Sequence, residues 1–407
     1  MVLSRRGRAC LAGAMLMTAG STLAATPDDE SPLSRGEYLT RAGNCLSCHT
    51  REGGAPFAGG VPFETPYGTL YSTNITPDPD TGIGRWDDDD FIRAMHEGIG
   101  RQGEHLYPAF PYTAYTLMSR DDVLAIKTYL DNVESVAYQP PENQLVFPFD
   151  QRALLAAWKF VNFDAARFEP ASDQDEEINR GAYLSEAVGH CGECHTPRTL
   201  TQGLDSKQHY AGATQQGWTA WNITSGARGI GNWSEQKLLN YLSTGHQRGE
   251  AVAGGPMAEV VSDSLSWLSE RDLRAIARYL LQVPAKDGQV PARDEIEPAG
   301  ANPEDPIHSL FVAACESCHY PDDRGRGGPY PTSFPNYSAV RDPNGTNLIR
   351  VMLDGLIRSG HSDEAFMPAY RDLLTDEQIA ALATYIGQRF GGHDNSFSAD
   401  DVAALRD

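Results

Sequence analysis

Positive charge is what this sequence has least of: 33 Lys and Arg stand against 55 Asp and Glu in 407 residues, for a net charge of −22. A surface so acidic excludes a nucleic-acid binder, which needs clustered Lys and Arg to displace counterions from phosphates. It also excludes charge-driven adhesion to anionic lipid. Beyond residue 25 no apolar run is long enough to span a bilayer, so no transmembrane helix is expected in the mature chain. There is no glycine-rich dinucleotide fingerprint in a βαβ setting and no nucleophile elbow, hence no constellation that would oxidise a substrate directly. Methionine is scarce as well: Met95, Met118, Met257, Met352 and Met367 are the whole supply after residue 25. With 39 Gly and 26 Pro the chain is rich in loops, and its length allows two or three compact units.

What is present begins with an export signal over residues 1–25, made of basic Arg5, Arg6 and Arg8, an apolar stretch over 11–19, and small residues at Thr22, Ala24 and Ala25. Seven cysteines in an exported, periplasmic protein first suggest disulfides. Cys10, however, lies in the signal, and the other six fall into Cys45-Leu46-Ser47-Cys48-His49, Cys191-Gly192-Glu193-Cys194-His195 and Cys315-Glu316-Ser317-Cys318-His319. Two thiols three positions apart can add to the two vinyl groups of one haem, and the histidine that follows then presents its imidazole to the iron. A zinc knuckle wants four converging ligands and a thioredoxin-like pair wants a βαβ setting. Six cysteines and three adjacent histidines divide instead into three covalently bound haem c groups, with His49, His195 and His319 as proximal iron ligands.

The motifs sit in an internal repeat. Arg35-Gly36-Glu37-Tyr38-Leu39 precedes the first and Arg180-Gly181-Ala182-Tyr183-Leu184 the second. Each of these two is followed by Asn-Ile-Thr (Asn74, Asn222), by Gly-Ile-Gly (Gly82, Gly229) and by a Trp at a helix start (Trp86, Trp233), whereas the third unit lacks Asn-Ile-Thr. Apolar residues at helical spacing, Phe91-Ile92-Met95-Ile99 and Leu348-Ile349-Met352-Leu353-Leu356, predict helices whose Met95 and Met352 pack in the core. Every unit closes with an N-capped helix opening on acid: Ser119-Arg-Asp-Asp, Ser269-Glu-Arg-Asp and Thr375-Asp-Glu-Gln. The four acids Asp87 to Asp90 read as a helix start rather than a calcium loop, since the EF-hand glycine and glutamate are missing.

Together with Asn74-Ile75-Thr76-Pro77-Asp78, Leu106-Tyr107-Pro108-Ala109-Phe110-Pro111-Tyr112 and Gly255-Pro256-Met257-Ala258, these features resemble the triheme cytochrome c subunits of bacterial membrane-associated dehydrogenases for alcohols, gluconate, fructose and aldehydes. The resemblance covers nearly the whole mature chain. It implies an all-α protein of three tandem class I cytochrome c-like domains, here residues 30–138, 173–284 and 305–392, with linkers over 139–172 (helical) and 285–304 and a polar tail over 393–407. It implies an electron-transfer subunit that takes electrons from a flavin, pyrroloquinoline quinone or molybdenum dehydrogenase subunit and hands them to a quinone, cytochrome or oxidase. Relatives with apolar tails are held to the membrane, but the tail here is short and acidic, so membrane association is expected through the partner.

Thioethers are the expected distal ligands. Met367-Pro368 and Met257 stand at matching places before the last helix of their units, and both are assigned to iron. The matching place in the first unit is Phe110, which cannot bind iron; Met118, eight residues on, is taken as its distal ligand, with His96, His105 or an open site as alternatives. An open first haem would allow a haem enzyme of peroxidase-like or sulfur-compound-oxidising type, and a free soluble shuttle is a further rival. The helix of the first linker, with Leu154, Leu155, Trp158 and Val161 on one side, is expected to pack between units.

Overall fold

A computed structural model describes residues 34–247, 250–287, 296, 299–300, 302–319, 334–357 and 366–406. The expected signal lies outside the described residues, as does most of the second linker. Among the described residues no helix is long and apolar enough to cross a membrane.

The first unit runs α1 (Arg35–Ala42), α2 (Cys45–His49), a hairpin β1 (Pro62–Thr65) and β2 (Gly68–Tyr71), then α3 (Asp88–Glu97), α4 (Tyr112–Tyr115) and α5 (Arg120–Leu130). Asp87 caps α3 and Asp90 reaches back to the Asp87 amide, so the acid run spends itself on the helix start. Ser119 caps α5 by accepting from the Asp122 amide at 3.1 Å, a bond worth about 1 kcal/mol. Helices α1 and α5 cross where Gly36 has no side chain: a Cβ there would stand 2.1 Å from the Ala125 carbonyl oxygen. Strand β3 (Gln144–Leu145) adds to β2 through Gly68↔Leu145 and attaches the first linker to this unit.

The linker helix α6 (Leu155–Asn162) lies between the first two units as expected, with Leu155 and Trp158 half-buried, but the rest of its apolar side stays open. Leu154 is 52% exposed, Val161 65% and Phe160 93%. The helix is held by polar bonds instead. Buried Lys159 donates to the Glu97 and Gly98 carbonyls at 2.7 Å, satisfying the carbonyl end of α3, and Trp158 Nε1 donates to the Thr201 carbonyl.

The second unit repeats the first with α7 (Glu176–Tyr183), α8 (Gly192–His195), hairpin β4 (Ala213–Gln215) and β5 (Trp218–Ala220), α9 (Glu235–Thr244), strands β6 (His246–Gln247) and β7 (Ala251–Val252), α10 (Pro256–Asp263) and α11 (Glu270–Leu280). From Arg180 to Cys191 is one residue longer than from Arg35 to Cys45. The extra residue is absorbed by a π-helical turn over Leu184–Val188, where Gly189 N–H donates five residues back to Leu184; in α1 the matching Gly43 donates four back to Leu39.

The third unit holds α12 (Pro306–Ala314), α13 (Ser338–Arg341), α14 (Thr346–Asp354), β8 (Leu356–Ile357), β9 (Phe366–Met367), α15 (Asp376–Ile386) and α16 (Ala399–Arg406). The expected polar tail is folded back on it: Val402 is wholly buried, and Arg406 pairs with Asp376 and donates to the Arg371 carbonyl. The expectation of an all-α chain is corrected by the four small antiparallel sheets formed by these strands among the described residues. They form because the chain must double back between helices, and paired edges satisfy its backbone there.

The first two units are joined by a reciprocal lock. Arg35 Nε donates to Asp122 at 3.0 Å within the first unit, and Tyr183 of the second donates to the other oxygen of Asp122 at 2.5 Å. In the second unit Arg180 Nε donates to Asp272 at 2.9 Å, and Tyr38 of the first donates to Asp272 at 2.7 Å. Each Tyr oxygen also accepts from the backbone of the opposite N-cap, Ser119 or Ser269, at 3.1 Å. The third unit is attached differently, through the edge of β5: the Asn347 side chain accepts from Thr219 N–H and donates to Thr219 C=O, at 2.8 and 2.9 Å.

Candidate haem sites

Cys45 and Cys48 lie one turn apart on α2, which ends on His49; the same stretch in the second unit forms α8. The residue ahead of each motif, Asn44 or His190, has a positive φ (51° and 39°) that turns the chain sharply from the preceding helix into the motif. None of the six motif cysteines forms a disulfide. Burial pushes the Cys45 and Cys191 thiols up to about 12, the Cys48 thiol to about 11 with the neighbouring Cys194 adding to it, and the Cys315 thiol to about 11. Among the described residues no group of three His, Cys, Asp or Glu is arranged to hold a metal ion by itself.

The histidines are set for iron. His49 Nδ1 lies 2.7 Å from the Thr73 carbonyl and His195 Nδ1 2.6 Å from the Trp221 carbonyl. A carbonyl can only accept, so Nδ1 carries the proton in both and Nε2 keeps its lone pair for a metal. Burial lowers both histidines, which keeps the rings neutral. Each of these carbonyls directly precedes an Asn-Ile-Thr turn. Asn74 Oδ1 accepts from Thr76 N and Oγ1 at 2.9 and 2.7 Å, and Asn222 Oδ1 accepts from Thr224 at 2.8 and 2.7 Å. The repeated tripeptide is therefore the brace that aims the proximal histidine, and reading the repeat alone did not reveal its target. His319 stacks on Phe334 at 4.7 Å, and burial lowers it to about 4.

The second variable residue of each motif reaches across the lock: Ser47 donates to Asp263 of α10 at 2.9 Å, and Glu193 accepts from Thr113 of α4 at 2.5 Å. The segment bearing Met257 thus packs on the first motif, and the segment bearing Phe110 packs on the second. Met257 and Met367 are half-buried at the edges of their cores, and so is Phe110. Met118, expected as a ligand, is wholly buried in a cluster with Leu39, Met95 and Val123, and the structure does not bring it to the place that Met257 holds.

The paired thiols and the oriented imidazoles define c-type cytochrome units. Residues 33–134 match the family model for cytochrome c, and residues 302–386 match that for subunit III of cbb3-type cytochrome c oxidase. The chain is 38% identical over 408 residues to the gluconate 2-dehydrogenase cytochrome c subunit of Pantoea cypripedii, covering 95% of this chain and 92% of that one. It is 37% identical over 430 residues to the fructose dehydrogenase cytochrome subunit of Gluconobacter japonicus, covering 96% and 87%. It is also 42% identical over 370 residues to a nicotinate dehydrogenase subunit of Pseudomonas putida, covering 88% of this chain but 30% of that longer protein. This chain belongs to the family of cytochrome c subunits of dehydrogenases.

Proposed function

We propose that this protein is a periplasmic triheme cytochrome that takes electrons from a partner dehydrogenase subunit and delivers them to a respiratory acceptor, ubiquinone or another carrier. The observation that carries this reading is the full-length likeness to dehydrogenase cytochrome subunits in a chain with three Cys-x-x-Cys-His motifs. The motif cysteines would hold the haems as thioethers, His49, His195 and His319 would bind iron on one side, and Met257 and Met367 on the other in the second and third units. Bound there, haem c supplies one-electron chemistry. The chain's own part is to orient the imidazoles through Thr73 and Trp221, to exclude water by burial, and to hold the first two motifs against each other through Ser47–Asp263 and Thr113–Glu193. Substrate oxidation would belong to the partner chain, whose cofactor is of flavin, pyrroloquinoline quinone or molybdenum type.

Two measurements test this. The intact mass of the exported chain should exceed its polypeptide mass by three haems. Gentle affinity purification from the native host should bring down one large cofactor-bearing subunit in fixed stoichiometry. A chain that carries fewer haems, or that always comes out alone, overturns the corresponding part of the reading.

A further inference from the structure

We propose that Phe110, and no methionine or histidine, covers the distal side of the first haem, so that iron held by His49 keeps its sixth position open to a small neutral ligand such as carbon monoxide.

The argument rests on register. Helices α3 and α9 both end on a left-handed glycine, Gly98 (φ 61°) and Gly245 (φ 66°). In both units the chain then loops out and returns to that glycine: Leu106 N–H donates to Gly98 C=O at 2.8 Å, and Ala253 N–H donates to Gly245 C=O at 2.7 Å. Four residues past each closing bond stand Phe110 and Met257. In the third unit Gly355 (φ 69°) ends α14 and Met367 follows at the same sequence interval, but the pairing differs, since Met367 itself stands opposite Leu356 across β8 and β9. By backbone register, then, Phe110 occupies the place of Met257. Its ring is held against the buried Tyr115 ring at 5.5 Å.

The other candidates stand at other positions in the register. Met118 directly precedes the N-cap Ser119, as Leu268 precedes Ser269, and both side chains are buried in the shared core. His96 is wholly buried, and its Nδ1 accepts from Arg167 Nη2 at 2.6 Å. An imidazole that accepts at Nδ1 carries its proton on Nε2, which leaves no lone pair for iron. His105 stands five residues before Phe110 on the linker side, where its carbonyl accepts from Arg152 at 2.8 Å and its ring lies in the field of the Lys159 ammonium, with Nδ1 buried and without a hydrogen-bond partner. A phenyl ring over the iron offers neither charge nor hydrogen bonds, which is why the ligand class is neutral and small.

The test uses the full-length protein with its haems, examined by electron paramagnetic resonance in the ferric state and by carbon monoxide titration in the ferrous state. The expected result is one high-spin haem in three and one carbon monoxide bound per chain. Phe110→Met should turn that haem low-spin and abolish carbon monoxide uptake, while Met118→Leu should leave both readouts as in the parent. If Phe110→Met does not fold, Phe110→Leu serves in its place and should retain the high-spin signal and the uptake. Three low-spin haems with no uptake in the parent, or a high-spin signal that appears only in Met118→Leu, would overturn the proposal. Intact mass on the same samples separates a missing haem, which counts against the triheme reading, from a haem that is present and fully ligated.

Discussion

The first two units and the third are built on one plan but are joined to their neighbours by different physics. Between the first and second, two buried carboxylates, Asp122 and Asp272, each take an arginine from their own unit and a tyrosine from the other. The third has Gln378 at the position of those aspartates and lacks the Arg-Gly-x-Tyr run before its motif; seven residues ahead of Cys315, where Tyr38 stands ahead of Cys45, it has His308, which bonds to Tyr385 of its own unit at 2.8 Å. A lock built on buried charge demands that every member be present, whereas an edge contact through Asn347 and Asp342 tolerates loss. The difference teaches that the first two motifs are held as one body, and the third as an attachment to it.

The largest effect should come from breaking the lock. Asp122→Ala removes a carboxylate whose side chain is wholly buried and strands Tyr183 and Arg35. A loss of about 3–5 kcal/mol is expected, read by chemical denaturation followed at the haem bands, with the first two units losing stability together. If the loss were below about 1 kcal/mol, the lock would be a surface contact in energetic terms. Gly181→Ala comes next: its Cβ would stand 2.0 Å from the Ala275 carbonyl oxygen, so α7 and α11 must part, at a cost of about 1–3 kcal/mol measured the same way.

Against these, Asn347→Ala should cost the chain only about 1–2 kcal/mol, for two hydrogen bonds at a partly exposed edge. Its clearer signature is faster proteolytic release of the third unit with the first two intact. Equal protection of the variant and the parent would show that other contacts hold the third unit.

The smallest effect is a pH dependence. Burial, helped by the Arg167 guanidinium, lowers His96 to about 4, so this ring stays neutral in the folded protein while an unfolded chain takes up a proton near 6.5. Its contribution is therefore complete above about pH 6.5 and is lost as pH falls through about 4. His96→Gln should flatten the denaturation midpoint across that window, and an unchanged slope would assign the acid sensitivity to other groups.

Much of this was legible in advance because it depends on local chemistry. The three N-caps Ser119, Ser269 and Thr375 open helices where expected, and the acid run at Asp87 is a helix start. The repeat also held the lock in plain view, since Asp122 and Asp272 accompany Arg-Gly-x-Tyr and are missing with it in the third unit. What was not legible was the direction of Tyr38 and Tyr183, because contacts between repeats leave the same trace as contacts within one. How little of the linker helix's apolar side is buried is not legible in the sequence either. Hydrophobic periodicity marks its apolar side, but Lys159 reaching the open carbonyl end of α3 decides which side faces the unit.

The sequence by itself determined the haem-binding chemistry, since thiol spacing and the adjoining imidazole are properties of five consecutive residues. It also determined the helical plan of each unit, through caps and periodicity that act within one or two turns. Only the tertiary structure decided which carbonyl aims each of the first two proximal histidines and which unit each tyrosine serves. Those outcomes depend on groups far apart in the chain, whose meeting is set by how whole helices pack and not by any local pattern.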